Sequence, residues 1–260
     1  AITAIPVGFL AGLFGIGGGL ITVPFLFFIF ESLNINQEYL MHLAVGTSFS
    51  IIVPTSIISV LTHKKNGSVD FGVIKNYAIF VIIGVISGTI FAAILHTKSL
   101  LLFFTTIVYL CGAYLLNIKD KTDNLKVNFN LIPRIILGFV SGFISSTMGI
   151  GGAIMNVPIL KYFGYPINKA IGSAAAIGSI ISLFGALGFL ITGSFLKADL
   201  PLSVGFINIP AFLIFIPITM FMARIGANTV HKLDKSKLQR FFGIFLYVVG
   251  TIFLYRYLNI

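Results

Sequence analysis

Acidic residues are scarce in this sequence and tryptophan is absent; only seven Asp and Glu stand among 260 residues. The seven, Glu31, Glu38, Asp70, Asp120, Asp123, Asp199 and Asp234, all fall in or beside polar connections. No embedded carboxylate is therefore available for a cation site or a proton relay. The lone cysteine, Cys111, excludes a disulfide within the chain and a cysteine metal site. No His-x-x-x-His or Glu-x-x-His pairing, no Gly-x-Ser-x-Gly and no Gly-Lys-Ser/Thr occurs. Metalloenzyme, serine hydrolase and P-loop chemistry lack their residues, and neither a catalytic centre, a metal nor a cofactor is expected.

Charge of either sign is also thin, at 9% of residues, while 57% are hydrophobic and the mean hydropathy is +1.05. Globular chains carry about 25% charged residues, so this composition describes an integral membrane protein. Apolar runs long enough to embed lie at 5–30, 40–62, 73–95, 99–117, 131–160, 167–192, 201–223 and 241–258. The longest polar connection, 117–130, is too short to fold alone, which leaves a single membrane domain over 1–260. The formal charge of +10 would point to nucleic acid in a soluble protein. Here the basic residues sit in short connections, where they serve as orientation signals and contacts to membrane lipids; nucleic acid is not expected as a partner.

What the sequence does hold is a duplication. Gly15-Ile16-Gly17-Gly18-Gly19-Leu20-Ile21-Thr22-Val23-Pro24 returns 134 positions later as Gly149-Ile150-Gly151-Gly152-Ala153-Ile154-Met155-Asn156-Val157-Pro158. The internal copy argues against reading the first apolar segment as a cleaved leader. A glycine-rich break at membrane depth survives only where it is buried in protein or lines a wet cavity. Gly17, Gly18 and Gly19, like Gly151 and Gly152, let a ligand approach the main chain. A half-helix beginning at Gly19 or Ala153 would present free N–H groups and the positive end of its dipole, which suits an oxyanion. Pro24 and Pro158 fit the first turns of such half-helices or act as kinks that break or gate them. Thr22 and Asn156 occupy equivalent positions and can add side-chain hydrogen bonds.

A second element repeats at an offset of 126: His42-Leu43-Ala44-Val45-Gly46-Thr47-Ser48-Phe49-Ser50 aligns with Asn168-Lys169-Ala170-Ile171-Gly172-Ser173-Ala174-Ala175-Ala176. At 1.5 Å per residue Thr47, Ser48, Ser50 and Ser173 lie roughly 10–15 Å into their helices, near the midplane, and are candidates to contact a substrate. Any one of these hydroxyls can equally bond its own helix backbone. His42 is a candidate proton carrier or an interface residue.

Loop charges orient the halves. If all eight segments crossed, Lys and Arg would divide eight against nine. If 5–30 and 131–160 instead return to the side they entered from, fourteen share one face, and only Lys98, Lys197 and Arg256 oppose them. The cytoplasmic excess of basic residues favours the second arrangement. The expected architecture is thus an all-α polytopic membrane protein of about eight embedded segments. It forms two repeats, 1–120 and 131–260, that are inverted, each with a glycine-broken helix or re-entrant segment.

Gly-Ile-Gly-Gly-Gly-x-Ile-x-Val-Pro, His-x-Ala-x-Gly-Thr-Ser, the Gly67-Ser68-Val69-Asp70 loop and the degenerate second copies resemble the sulfite exporter TauE/SafE family, also called toluene sulfonate uptake permeases. The resemblance covers essentially the whole chain. It implies a multi-pass transporter of the prokaryotic plasma (inner) membrane whose cargo is a small sulfur-containing anion such as sulfite or an organosulfonate, and export as the direction. Ala153 and Ala174 depart from the first copy, so the second site is expected to bind cargo less directly or to act as a gate. An anion channel of the same architecture and a non-transporting membrane anchor subunit are the alternatives, and a homo-oligomer is left open. A reporter fused after Ile260 should prove extracytoplasmic; a cytoplasmic signal would overturn this topology.

Overall fold

The computed structural model describes residues 3–14, 18–65, 67–117, 130–229 and 235–259. Gly15 to Gly17 and most of the predicted 117–130 connection lie outside the described residues. The helices are α1 (Ala4–Phe14), α2 (Gly19–Ser32), α3 (Leu40–Lys65), α4 (Phe71–Ile94), α5 (Thr97–Asn117), α6 (Leu131–Met148), α7 (Ala153–Tyr162), α8 (Ile167–Phe195), α9 (Ile209–Thr229) and α10 (Lys235–Asn259). Helices dominate because in hydrocarbon each backbone N–H and C=O must find its partner within the segment. Among the described residues seven helices are long and apolar enough to cross a membrane. The run at 5–30 is not one of them: it divides into helices of 11 and 14 residues at the first glycine motif.

Both glycine motifs end one helix and begin another. Gly18 (φ 79°) and Gly152 (φ 70°) sit in the left-handed region as N-caps of α2 and α7, and Gly149 (φ 73°) is the C-cap of α6. The chain doubles back at the second break. Ser141 Oγ on α6 donates to Asn156 Oδ1 on α7 at 2.9 Å, whereas 15 residues of straight helix would separate them by roughly 22 Å. At the first break a Cβ on Gly18 would stand 2.7 Å from Ala11 Cβ, again a return rather than a continuation.

Corresponding elements of the two halves pack reciprocally. α4 lies along α6 as α9 lies along α1; α3 pairs with α8, and α5 with α10. Glycines allow the close approaches, Gly84 and Gly142 between α4 and α6, Gly8 and Gly12 between α1 and α9. At the end of α10, Arg256 Nε donates to Glu31 Oε1 of α2 at 2.8 Å.

The predicted segment 201–223 starts late. Residues 201–208 form a two-stranded turn, Ser203–Val204 (β1) against Ile207–Asn208 (β2), with Leu202 and Gly205 at positive φ, and the helix begins only at Ile209. The turn docks on α3. A Cβ on Gly46 would lie 2.2 Å from Phe206 O, and the Asn208 N–H donates to Thr47 Oγ1 at 2.9 Å. The 67–70 loop does the same to α8: a Cβ on Gly172 would lie 2.2 Å from Ser68 O, and the Asp70 N–H donates to Ser173 Oγ at 3.0 Å. Asp70 and Asn208 then cap α4 and α9 through their side-chain oxygens. Gly67 (φ 64°) and Gly205 (φ 56°) turn the two loops alike.

Each half therefore latches onto the other through a loop carbonyl seated on a helix glycine. Gly46→Ala and Gly172→Ala should lower the melting temperature of purified protein sharply. Gly67→Ala meets no atom within 4 Å and should cost only the left-handed strain of about 1–2 kcal/mol. Equal losses in the three variants would refute the latch.

Candidate functional site

The two breaks touch. A Cβ on Gly19 would lie 2.2 Å from Gly149 O and 2.7 Å from Ile150 Cα, so the first turn of α2 lies directly on the backbone of the second motif. Gly149 O also accepts from Ser48 Oγ at 3.1 Å. On the other side a Cβ on Gly178 of α8 would stand 2.2 Å from Gly151 O. The second break is thus held between α2, α3 and α8, with Gly18, Gly19, Gly151 and Gly152 buried. No room for a cargo remains between Gly19 and Gly149; open space lies beside them, at Gly151.

Thr22 and Asn156 share one task. Thr22 Oγ1 donates to Gly18 O at 2.9 Å and Asn156 Nδ2 to Gly152 O at 2.8 Å, each returning to the carbonyl of its helix's N-cap. Pro24 and Pro158 lie two residues further on, inside α2 and α7. The remaining hydroxyls are engaged with backbone. Thr47 and Ser173 take the latch N–H groups, Ser48 reaches Gly149 O, and Ser50 Oγ donates to Thr47 O at 2.7 Å. His42 is buried away from the breaks. Its Nε2 lies 2.9 Å from Ala92 O, and its ring stands between Phe206 (5.0 Å) and Tyr39 (5.8 Å). Gly17 lies outside the described residues.

Beside Gly151 a narrow cleft runs between α1, α3, α8 and α9 toward the exposed Arg224. Thr55, Ser56, Ser59 and Thr62 of α3 form its polar wall, and Ala175 and Gly178 of α8 face them. Its free interior is about 20 Å³, room for roughly one water, so anything larger enters only if the walls part. Of the predicted site residues, Gly151 alone among those described lines it. The spacing 55, 59, 62 places three hydroxyls on one helical face and was the available sequence signal for this wall. The link to Arg224 was not legible, because the guanidinium belongs to a helix 160 positions away and reads as an orientation signal.

The electrostatics of the region are one-sided. The N–H groups of Gly19, Leu20, Gly151, Gly152 and Ile154 find no acceptor among the described residues, as expected of helix starts. Thr55, Ser56 and Thr62 donate to carbonyls of their own helix at 2.6, 2.9 and 2.9 Å, while Ser59 leaves its hydroxyl free to turn toward the cleft. Arg224 adds a permanent cation at the mouth. Donors and positive charge converge here, and no carboxylate stands among the described residues that line the cleft, an arrangement that attracts anions.

Residues 1–253 match the family described as sulfite exporter TauE/SafE. A probable membrane transporter protein of Haemophilus influenzae is 35% identical over 244 residues, spanning 94% of this chain and 92% of that protein. A probable membrane transporter protein of Methanocaldococcus jannaschii is 28% identical over 255 residues (95% and 91%). Another, of Bacillus subtilis, is 24% identical over 271 residues (96% and 94%). No solved structure matches the chain.

Two buried threonines, Thr22 and Thr47, separate by magnitude. Gly18 O already accepts from the Ile21 and Thr22 N–H groups, so Thr22→Val should cost only about 0.6 kcal/mol, the average for a polar contact in a membrane protein. Thr47→Val orphans the buried Asn208 N–H and should cost about 1–3 kcal/mol. Denaturation in detergent ranks them; Thr22→Val proving the more damaging would show that the hydroxyl roles are reversed.

Proposed function

We propose, for a multi-pass membrane protein that belongs to the sulfite exporter TauE/SafE family and is a membrane transporter, that it is a secondary carrier of sulfite or a small organosulfonate. In this reading 1–120 and 131–260 are inverted repeats, the basic connections face the cytoplasm, and export is the direction. The observation that carries the reading is the pair of glycine breaks in backbone contact, with N–H groups at Gly151 and Gly152 that have no acceptor among the described residues, beside a hydroxyl-lined cleft that reaches Arg224. An oxyanion collects at a helix start because the N–H groups and dipole are already oriented and need no counter-charge. Small sulfur oxyanions present several acceptor oxygens to such a donor set.

The route begins at Arg224, whose charge raises the local anion concentration. It passes the wall of Thr55 and Ser59 and ends at Gly151, where the α7 start supplies backbone donors. Hydroxyls now bonded to their own helix turn outward at little cost when an anion replaces the carbonyl as acceptor. A cleft that admits about one water favours a carrier, which opens by relative movement of its halves, over a continuous pore. Gly18 is a poor place to test binding, since any side chain there meets Ala11 and a left-handed φ.

Gly151→Leu should abolish sulfite flux in proteoliposomes while the protein still inserts. Arg224→Gln should raise KM for sulfite several-fold with kcat little changed, and should flatten the dependence of flux on ionic strength. Unaltered flux in both variants would defeat the proposal. Thermal stabilisation screened across sulfite, thiosulfate, taurine and sulfoacetate identifies the cargo.

A further inference from the structure

The cleft has an equivalent position on the other side of the molecule, and there aromatic rings fill it. At the offset of 126, Ala175 corresponds to Phe49, Ser59 to Gly185 and His63 to Phe189. The docked loops extend the correspondence at an offset of 138, pairing Ser68 with Phe206 as they pair Asp70 with Asn208. Backbone bonds support this register. Ser68 N donates to His63 O at 3.0 Å and Phe206 N to Phe189 O at 3.2 Å.

Ala175 and Ser59 line the cleft. At the equivalent place Phe49 is fully buried, its ring so close over Gly185 that a Cβ there would lie 2.9 Å from Cδ2 and Cε2. Phe49 and Phe189 have centroids 6.1 Å apart, and Phe189 stands 6.3 Å from Phe206. Three rings on one side thus replace Ala175, His63 and Ser68 on the other. α3 and α8 run antiparallel, since Phe49 near the start of α3 meets Gly185 and Phe189 near the end of α8. The ring cluster and the cleft therefore lie toward opposite ends of the same helix pair.

We propose that Phe49 is a gate. Resting on the reading above, in which the halves are inverted and exchange access, the ring of Phe49 on Gly185 and Phe189 closes one path to the breaks. Ala175, too small to close the equivalent path, leaves the Arg224 side as the accessible one. Gly185 has no side chain to interlock with the ring, so the seat itself does not trap Phe49. The opposite-facing state is then reached by withdrawal of one aromatic residue, together with narrowing at Ala175 and Ser59.

The test needs no cargo. In a Cys111→Ala background, Ser59→Cys reports the open side. Ser182→Cys, the equivalent of Ser56 and fully buried, reports the closed side. Each is labelled in vesicles with a membrane-impermeant maleimide from either face. Ser59 is half-buried, so Ser59→Cys should react from the Arg224 face without the cleft having to widen. Ser182→Cys should react from the other face roughly ten- to thousand-fold more slowly, as for a state populated at about 0.1–10%. Phe49→Ala should raise the Ser182→Cys rate at least about tenfold. Ala175→Phe, which leaves the aromatic cluster intact, should slow labelling of Ser59→Cys. Equal rates at the two cysteines with Phe49 present, or rates unmoved by both substitutions, would overturn the gate. A gate that responds as expected in protein showing no sulfite flux overturns the cargo assignment alone.

Discussion

Unsatisfied backbone is the constraint on which this structure rests. Where a helix is interrupted inside hydrocarbon, its orphaned N–H and C=O groups cost several kcal/mol each unless the protein supplies partners. This chain interrupts two helices at glycine and meets the freed carbonyls partly from the same helix and partly from the opposite half. Gly149 O accepts from Ser48 on α3, Thr22 and Asn156 return to the carbonyls of Gly18 and Gly152, and Gly19 lies against the backbone of the second motif. The two breaks are in direct backbone contact, so they and the packing around them are one piece of structure.

The same economy governs the loops before α4 and α9. Each brings a carbonyl onto a helix glycine and an amide onto a hydroxyl, then caps its own helix with Asp70 or Asn208. Thr47 and Ser173 were candidates for cargo contact because hydroxyls at membrane depth are uncommon enough to attract a functional reading. Each instead accepts a loop amide, Thr47 from Asn208 and Ser173 from Asp70, which ties both hydroxyls to the latch. The transport reading shifts instead to a wall about two to four turns further along α3, where Thr55, Ser56, Ser59 and Thr62 line the cleft.

Near-symmetry with local departures is what the proposed two-state carrier requires. Certain paired positions hold the same residue in like surroundings, as Gly46 with Gly172 and Gly67 with Gly205. The departures fall along the α3 and α8 pair, where Phe49, Phe189 and Phe206 oppose Ala175, His63 and Ser68. Packed interiors are bistable rather than continuously deformable, so a difference of a few rings is enough to favour one of two related arrangements.

Sequence by itself determined the class of molecule and where its helices break. Mean hydropathy and the scarcity of charge require a membrane-embedded helical chain, and glycine beside glycine in an apolar run marks an interruption whatever surrounds it. The duplication, too, was legible as text, and its offsets of 134 and 126 located the pairs that the fold surrounds alike. Tertiary structure alone decided which hydroxyls are free, that the breaks lie in contact rather than apart, and that Arg224 shares a cleft with Gly151. The reason is physical: periodicity encodes which face of a helix is apolar, whereas the occupant of a hydroxyl's lone pair or a glycine's missing side chain comes from another helix 50 to 160 residues away.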